Sequence, residues 1–262
     1  MEKIKAIFFD FDWTLFDHKT KSFNVKSIKA LKKLHKKGVK LIINSARTYY
    51  SLKNLHTFDL FSFDGFVVSN GGAAIFNDKV LYFDGFKKET VSELINFLDE
   101  KNLSYNLVTL YNTYNKNRDI DMMNNFYKIF YEPFPIDIKS YNNEEILAIQ
   151  IFSLERDDKE IINLCNKLKL KFNRFSEYCI EITPIEFEKS KGIKEIIKYL
   201  NISKDEIMAF GDDLNDISMF KEAKYGICLG NGKQELKDVS YYVTDNIEKD
   251  GIYKALKYFK LI

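Results

Sequence analysis

The sequence predicts an α/β fold, a doubly wound and mostly parallel sheet interrupted by an α+β insert. Short apolar runs end in acids or hydroxyls, as buried parallel strands do at their carboxyl ends. Between them lie segments whose apolar residues recur at helical spacing. Over residues 84–185 the alternation lapses and strand-like runs partly pair, the pattern of an antiparallel sheet.

Lys5-Ala6-Ile7-Phe8-Phe9-Asp10 is the first such run. A helix follows over 24–37, with Ile28, Leu31 and Leu34 on one face and Gly38 as its stop signal. Val39 to Asn44 is the second strand and leads into Ser45-Ala46-Arg47. A helix from Thr48 and a strand around Phe66-Val67-Val68 continue the rhythm. Ala73–Phe76 and Val80–Phe83 flank Asn77-Asp78-Lys79, a hairpin by turn chemistry. The insert carries helices over 88–101, 119–130 and 156–168, and strands around 104–110, 146–153, 170–175 and 178–183, with Pro184 closing it. The alternating pattern then resumes with a helix over 189–200 and a strand Ile207–Phe210 entering Gly211-Asp212-Asp213. Short strands at 225–229 and 241–243 and a helix over 248–259 complete the chain. The implied core is discontinuous, residues 1–83 plus 186–262, with a second domain, 84–185, between.

The bulk numbers exclude several classes. At 262 residues the chain has room for a substantial core. Its 40 Lys+Arg against 38 Asp+Glu leave a net charge of +2, no pull toward nucleic acid or a membrane surface. No apolar run approaches the ~18–20 residues that span a bilayer. The start, Met1-Glu2-Lys3-Ile4-Lys5, lacks the apolar core of a signal peptide, so a cytoplasmic protein is expected. Cys165, Cys179 and Cys228 are odd in number, with no CxxC pair, and read as reduced thiols. His18, His35 and His56 stand apart and read as surface or packing residues.

Four polar clusters fall at predicted strand ends or helix starts: Asp10-Phe11-Asp12-Trp13-Thr14, Ser45-Ala46-Arg47, Lys191, and Gly211-Asp212-Asp213-Leu214-Asn215-Asp216. In an open α/β sheet, ligands bind beyond the carboxyl ends of the strands, so these clusters have a crevice in which to converge. Carboxylates without imidazole or thiolate suit a hard cation such as Mg²⁺. Carboxylates alone would repel a phosphate; a metal and a lysine reverse that sign.

In these motifs the chain resembles the haloacid dehalogenase-like superfamily of phosphohydrolases, and within it the Cof-type sugar-phosphatase branch. Asp10, Asp12 and Thr14 match the Asp-x-Asp-x-Thr loop, Ser45 the hydroxyl after the second core strand, and Lys191 in Ser190-Lys191-Gly192 the helix-start lysine. Gly211, Asp212, Asn215 and Asp216 match the acidic Gly-Asp-x-x-Asn-Asp motif. Gly230-Asn231-Gly232, Val243-Thr244 and Glu248-Lys249-Asp250-Gly251 follow the branch's tail. The resemblance implies a Rossmann-like core with a cap domain over 84–185, hinged near Asp84-Gly85 and Pro184. It implies Mg²⁺ as cofactor and a small phosphorylated metabolite as partner, and leaves oligomeric state open.

On this resemblance Asp10 attacks phosphorus and Asp12 exchanges protons with the leaving oxygen and with water. Asp10, the Asp12 backbone carbonyl and Asp212 hold the metal, with Asp216 acting through a water. Ser45 and Lys191 bind the phosphoryl group, and Asn215 touches the phosphate or orients Asp212. Two positions depart from the pattern: Trp13 stands where Gly is usual, and Ala46 where Gly commonly follows the hydroxyl. Trp13 also supports a second reading, a phospho-ligand-binding regulator without turnover, and the capped fold admits a third, a phosphomutase. In the insert, Tyr111-Asn112-Thr113-Tyr114-Asn115-Lys116-Asn117-Arg118 reads equally as a substrate grip or an exposed loop.

Overall fold

A computed structural model describes residues 4–55, 61–116, 120–130 and 135–262. The chain forms two compact units. The first comprises Met1–Ala46, Phe58–Phe83 and Glu188–Ile262, the second Arg47–Thr57 and Asp84–Phe187. Residues 47–57 thus group with the insert, where the sequence pattern alone left them in the core.

Up to the insert the order is β1 (Ala6–Phe9), β2 (Phe16–Asp17), β3 (Ser22–Phe23), α1 (Val25–Lys36), β4 (Lys40–Asn44), α2 (Tyr49–Asn54), β5 (Gly65–Val68), β6 (Ala73–Phe76) and β7 (Lys79–Phe83). The insert follows as α3 (Lys88–Glu100), β8 (Ser104–Val108), β9 (Thr113–Lys116), α4 (Ile120–Phe130), β10 (Ile136–Asp137), β11 (Ala148–Phe152), α5 (Asp158–Leu168), β12 (Leu170–Arg174) and β13 (Cys179–Pro184). The return is α6 (Lys189–Leu200), β14 (Ile207–Gly211), α7 (Asp216–Phe220), β15 (Tyr225–Cys228), α8 (Gln234–Val239), β16 (Tyr242–Val243) and α9 (Gly251–Tyr258).

In the first unit the sheet order is β16-β15-β14-β1-β4-β5-β6-β7. The six strands from β16 to β5 pair in parallel, and β6 and β7 add antiparallel at one edge. Strands β1, β5 and β14 are buried along their whole length, which is why they read as unbroken apolar runs. Phe8, Ile42, Val67 and Ala209 of the sheet pack with Ile193, Ile196 and Met219 of α6 and α7. Helix α1 is capped by Asn24, whose side chain accepts the Ser27 N–H at 3.0 Å. Asn77 and Asp78, at φ 46° and 60°, make the two-residue turn that the hairpin needs. The β2–β3 hairpin carries no periodic signal; it forms because Phe16 and Phe23 pack against each other and against Phe11.

The insert is an α+β unit with the sheet order β10-β9-β8-β11-β13-β12, antiparallel except for β10 beside β9. Leu107, Ile149, Ile151, Ile180 and Ile182 share a core with Leu94 and Leu98 of α3 and Ile161 of α5. The alternate positions Phe152 and Cys179 meet Met123, Phe126 and Tyr127 of α4. Thr113 to Lys116 of the polar aromatic stretch lie in β9, with Tyr114 and Asn115 buried, so this part is not an exposed loop. Asn117, Arg118 and His56 lie outside the described residues. Among the described residues, no helix is long and apolar enough to cross a membrane.

Candidate active site

Asp10 follows the last residue of β1, and its N–H donates to the Phe210 carbonyl of β14 at 2.9 Å. That parallel step carries Asp10 and Gly211-Asp212 out of the sheet side by side. The oxygens of Asp10, Asp212 and Asp216 lie within 4.8 Å of one another. Gly211 is required here because a Cβ would sit 2.5 Å from the Asp216 carboxyl carbon.

The lysine on this cluster is Lys189. Its Nζ donates to Asp10 Oδ1 at 2.5 Å and to Asp216 Oδ1 at 2.6 Å, and its side chain is wholly buried. The lysine on the carboxylates thus lies two positions before Lys191, the one expected from the motif. Both residues belong to the first turn of α6, but two positions rotate a side chain by about 200° around the axis. Lys191 is half-buried, against the complete burial of the Lys189 side chain. Sequence spacing cannot rank two lysines at the same helix start; burial does.

Asp216 is held from both sides. Its second oxygen accepts the N–H groups of Asp212 and Asp213 at 2.9 and 3.0 Å. Thr14 donates its hydroxyl to Asp212 at 2.7 Å, tying the loop after β1 to the loop after β14. Ser45 is fully buried; its N–H donates to Val67, and its carbonyl accepts from Asn70 at 3.1 Å. Asn215 donates to the Asn70 side chain at 3.0 Å, so it reaches the loop after β5 rather than Asp212. That loop, missed in the sequence, runs through three left-handed residues, Ser69, Asn70 and Gly71. Gly71, at φ 95°, lies so close to Glu188 that a Cβ would fall 1.9 Å from its carbonyl oxygen. The Asn-Gly-Gly run directly after a buried strand was its available signal.

Asp12 faces a residue that the sequence left among surface or packing histidines. Its Oδ1 lies 2.6 Å from His18 Nε2. Trp13 sits at φ 61°, a region that Gly enters freely and a bulky residue rarely does, which gives a physical reason for Gly at this position in the motif. Its carbonyl accepts from Asn231 at 3.0 Å, and the same Asn231 side chain accepts from the Ile247 N–H.

Charge is crowded in this cluster. Burial pushes the Asp10 pKa well above the ordinary carboxylate value, against Lys189 and with Asp216, Asp212 and Asp12 adding to it. Burial also raises Asp212 to about 7, opposed by the Thr14 hydrogen bond and reinforced by Asp216. Burial works against the Lys189 charge, yet Asp10 and Asp216 outweigh it and hold the pKa above its usual value. Burial first, and like charge second, disfavour the ionised carboxyls, and a bound cation would offset both; the all-oxygen donor set fits a hard divalent one.

A family model described as haloacid dehalogenase-like hydrolase matches residues 7–256. The chain belongs to this family. Among curated relatives of this haloacid dehalogenase-like hydrolase is the 5-amino-6-(5-phospho-D-ribitylamino)uracil phosphatase of Bacillus subtilis, 26% identical over 98% of this chain and 96% of that protein. Phosphoglycolate phosphatase 1 of Saccharolobus solfataricus is 24% identical over 95% and 92%. Among solved structures, a subclass IIB sugar phosphatase aligns with a TM-score of 0.80 and 30% identity, over 98% of this chain and 100% of that one. The Cof-type reading of the motifs holds, and so does its class: a phosphoric monoester hydrolase of haloacid dehalogenase type.

Proposed function

We propose that this hydrolase is a Mg²⁺-dependent phosphatase of small phosphorylated metabolites, sugar phosphates or similar, acting through an aspartyl-phosphate on Asp10. The observation that carries the reading is the buried cluster at the carboxyl end of the sheet, three carboxylates with Lys189 among them.

Asp10 attacks phosphorus with one carboxylate oxygen, and the ester oxygen leaves with the bonding electrons. Asp12 supplies the proton to that oxygen and then takes one from the water that cleaves the acyl phosphate. Lys189 takes the role expected of Lys191: it offsets the carboxylates and draws the phosphoryl oxygens in. Ser45, at the end of β4, is assigned to the phosphoryl group, and Asn215 orients the loop at Asn70. Asp10, the Asp12 carbonyl and Asp212 would hold the metal, with Asp216 acting through a water. When bound, a divalent ion shields the nucleophile from the phosphate's charge and stabilises the transferring oxygens.

The family's phosphatases and the sugar-phosphatase likeness support the substrate class. The three buried cysteines, none of them in a disulfide, support a cytoplasmic setting. The regulator reading rests on Trp13 alone and gains nothing from a cluster that keeps its nucleophile and its lysine; no observation favours a phosphomutase. The deciding experiment is a screen of phosphorylated metabolites for phosphate release with Mg²⁺ and with EDTA. Release that requires Mg²⁺ supports the phosphatase; binding without release supports the regulator.

A further inference from the structure

Asp12 is the least enclosed of the assigned reactive groups. Its side chain is 31% exposed, against 11% for Asp10. Proton transfer requires such a partly exposed side chain to be kept in one staggered well. The structure supplies a holder. His18, at 15% side-chain exposure, meets Asp12 at 2.6 Å and lies between two rings, Trp13 at 5.0 Å and Phe16 edge-on at 5.1 Å between centroids. The backbone closes the same loop: Trp13 N–H donates to Phe16 at 2.8 Å, and the N–H groups of Leu15 and Phe16 donate to Phe11. Asn231, bonded to both Trp13 and Ile247, ties this loop to the chain's later segment.

We propose that His18, braced by Trp13 and Phe16, is a positioning residue for Asp12 in proton transfer to the leaving group. This role rests on the phosphatase reading. The imidazole Nε2–H donates to Oδ1 of Asp12, and the exchangeable proton sits on the other carboxyl oxygen. As the ester P–O bond breaks, its electron pair goes to the leaving oxygen, which takes that proton. Asp12 becomes a carboxylate, and the His18 bond becomes charge-assisted, hence stronger as the proton leaves. In the second half Asp12 regains a proton from water as the water oxygen bonds to phosphorus and Asp10 is released. Trp13 acquires a role as well, since its ring closes one side of the imidazole despite its left-handed backbone.

The test compares kcat/KM for p-nitrophenyl phosphate and phenyl phosphate in wild type, His18→Phe, His18→Gln and Trp13→Gly, with a melting temperature for each. p-Nitrophenolate leaves without a proton, whereas phenolate is a poorer leaving group and needs one. General acid help is worth roughly 10²–10⁴-fold, so His18→Phe is expected to lose about tenfold or more on phenyl phosphate. On p-nitrophenyl phosphate its loss stays within about threefold, because the group Asp12 assists is not needed there. His18→Gln, which keeps an N–H donor, restores most of the loss. Trp13→Gly shows the same selectivity in weaker form and serves as the test should His18→Phe not fold. Equal losses on both esters, or none, overturn the role of His18 while leaving the phosphatase standing. A wild type inactive on both esters and on the metabolite screen overturns the phosphatase reading and this role with it.

Discussion

Lys189 and Asp10 meet at 2.5 Å between Nζ and Oδ1, with the lysine side chain wholly excluded from solvent. The contact joins the first strand's end to the first residue of α6, 179 positions later. The lysine makes a second bond to Asp216, so one cation is shared by two buried carboxylates.

Removing one partner of a buried ion pair leaves the other charge unsatisfied, at a typical cost of ~3–5 kcal/mol. Lys189→Met is therefore expected to lower stability by an amount of that order and to reduce turnover to background. Lys191→Met is expected to lose less of both. Urea denaturation and phosphate release on the two variants check this. The reverse ranking would restore Lys191 as the site lysine.

Asp10→Asn cannot form an acyl phosphate and is expected to lose turnover while remaining folded. Asp12→Asn keeps the nucleophile but loses the proton exchange, a drop of roughly 10²–10⁴-fold. Single-turnover assays with intact-mass detection of a phosphorylated enzyme separate the two. A phosphorylated form of Asp10→Asn would remove Asp10 from its assigned role.

The pH dependence of the metal-free protein has a definite sign. Asp212 titrates near 7 in the folded state against an ordinary value of 3.8, because burial disfavours its charge. Between those values the folded protein binds more protons than the unfolded chain, so the contribution of Asp212 to stability declines as pH rises from about 4 to 7. Mg²⁺ competes with the same proton. Its apparent affinity is expected to climb with pH up to about 7 and then level off. Calorimetric titrations with Mg²⁺ at pH 5, 6, 7 and 8, and EDTA-treated denaturation series at the same values, measure both. In Asp212→Asn the stability trend should flatten and the metal response should weaken strongly.

Trp13 is the chain's only tryptophan and neighbours both His18 and the Asp12 backbone. Mg²⁺ with beryllium fluoride, which mimics a phosphoryl group on Asp10, is expected to shift its emission, and Asp10→Asn should lose the response to the mimic. If calorimetry shows saturating binding while the emission of wild type is unchanged, the placement of the Trp13 loop beside the site is wrong.

Much of this protein is written in local pattern. The apolar runs of β1, β4 and β14 and the helical spacing of α1 and α6 determined the alternating core, because burial on both faces of a parallel sheet leaves that signature in the chain itself. The Asn77-Asp78 turn was legible for a similar reason, since left-handed φ values select a few residue types. The order Asp10, Asp12, Thr14, Ser45, Asp212, Asn215 and Asp216 pointed to the family, since each lies within a short motif with fixed spacing.

Only the tertiary structure shows that Lys189 meets Asp10, because the contact turns on which side of α6 faces that residue across 179 positions of chain. His18 was hidden for a related reason. Nothing in Phe16-Asp17-His18 marks a partner of Asp12; the bond exists because a loop closed by backbone hydrogen bonds and three phenylalanine rings folds that imidazole back onto it. Sequence periodicity reports which face of an element avoids water. Which polar group meets which is set by how distant elements pack, and that information is spread over the whole fold.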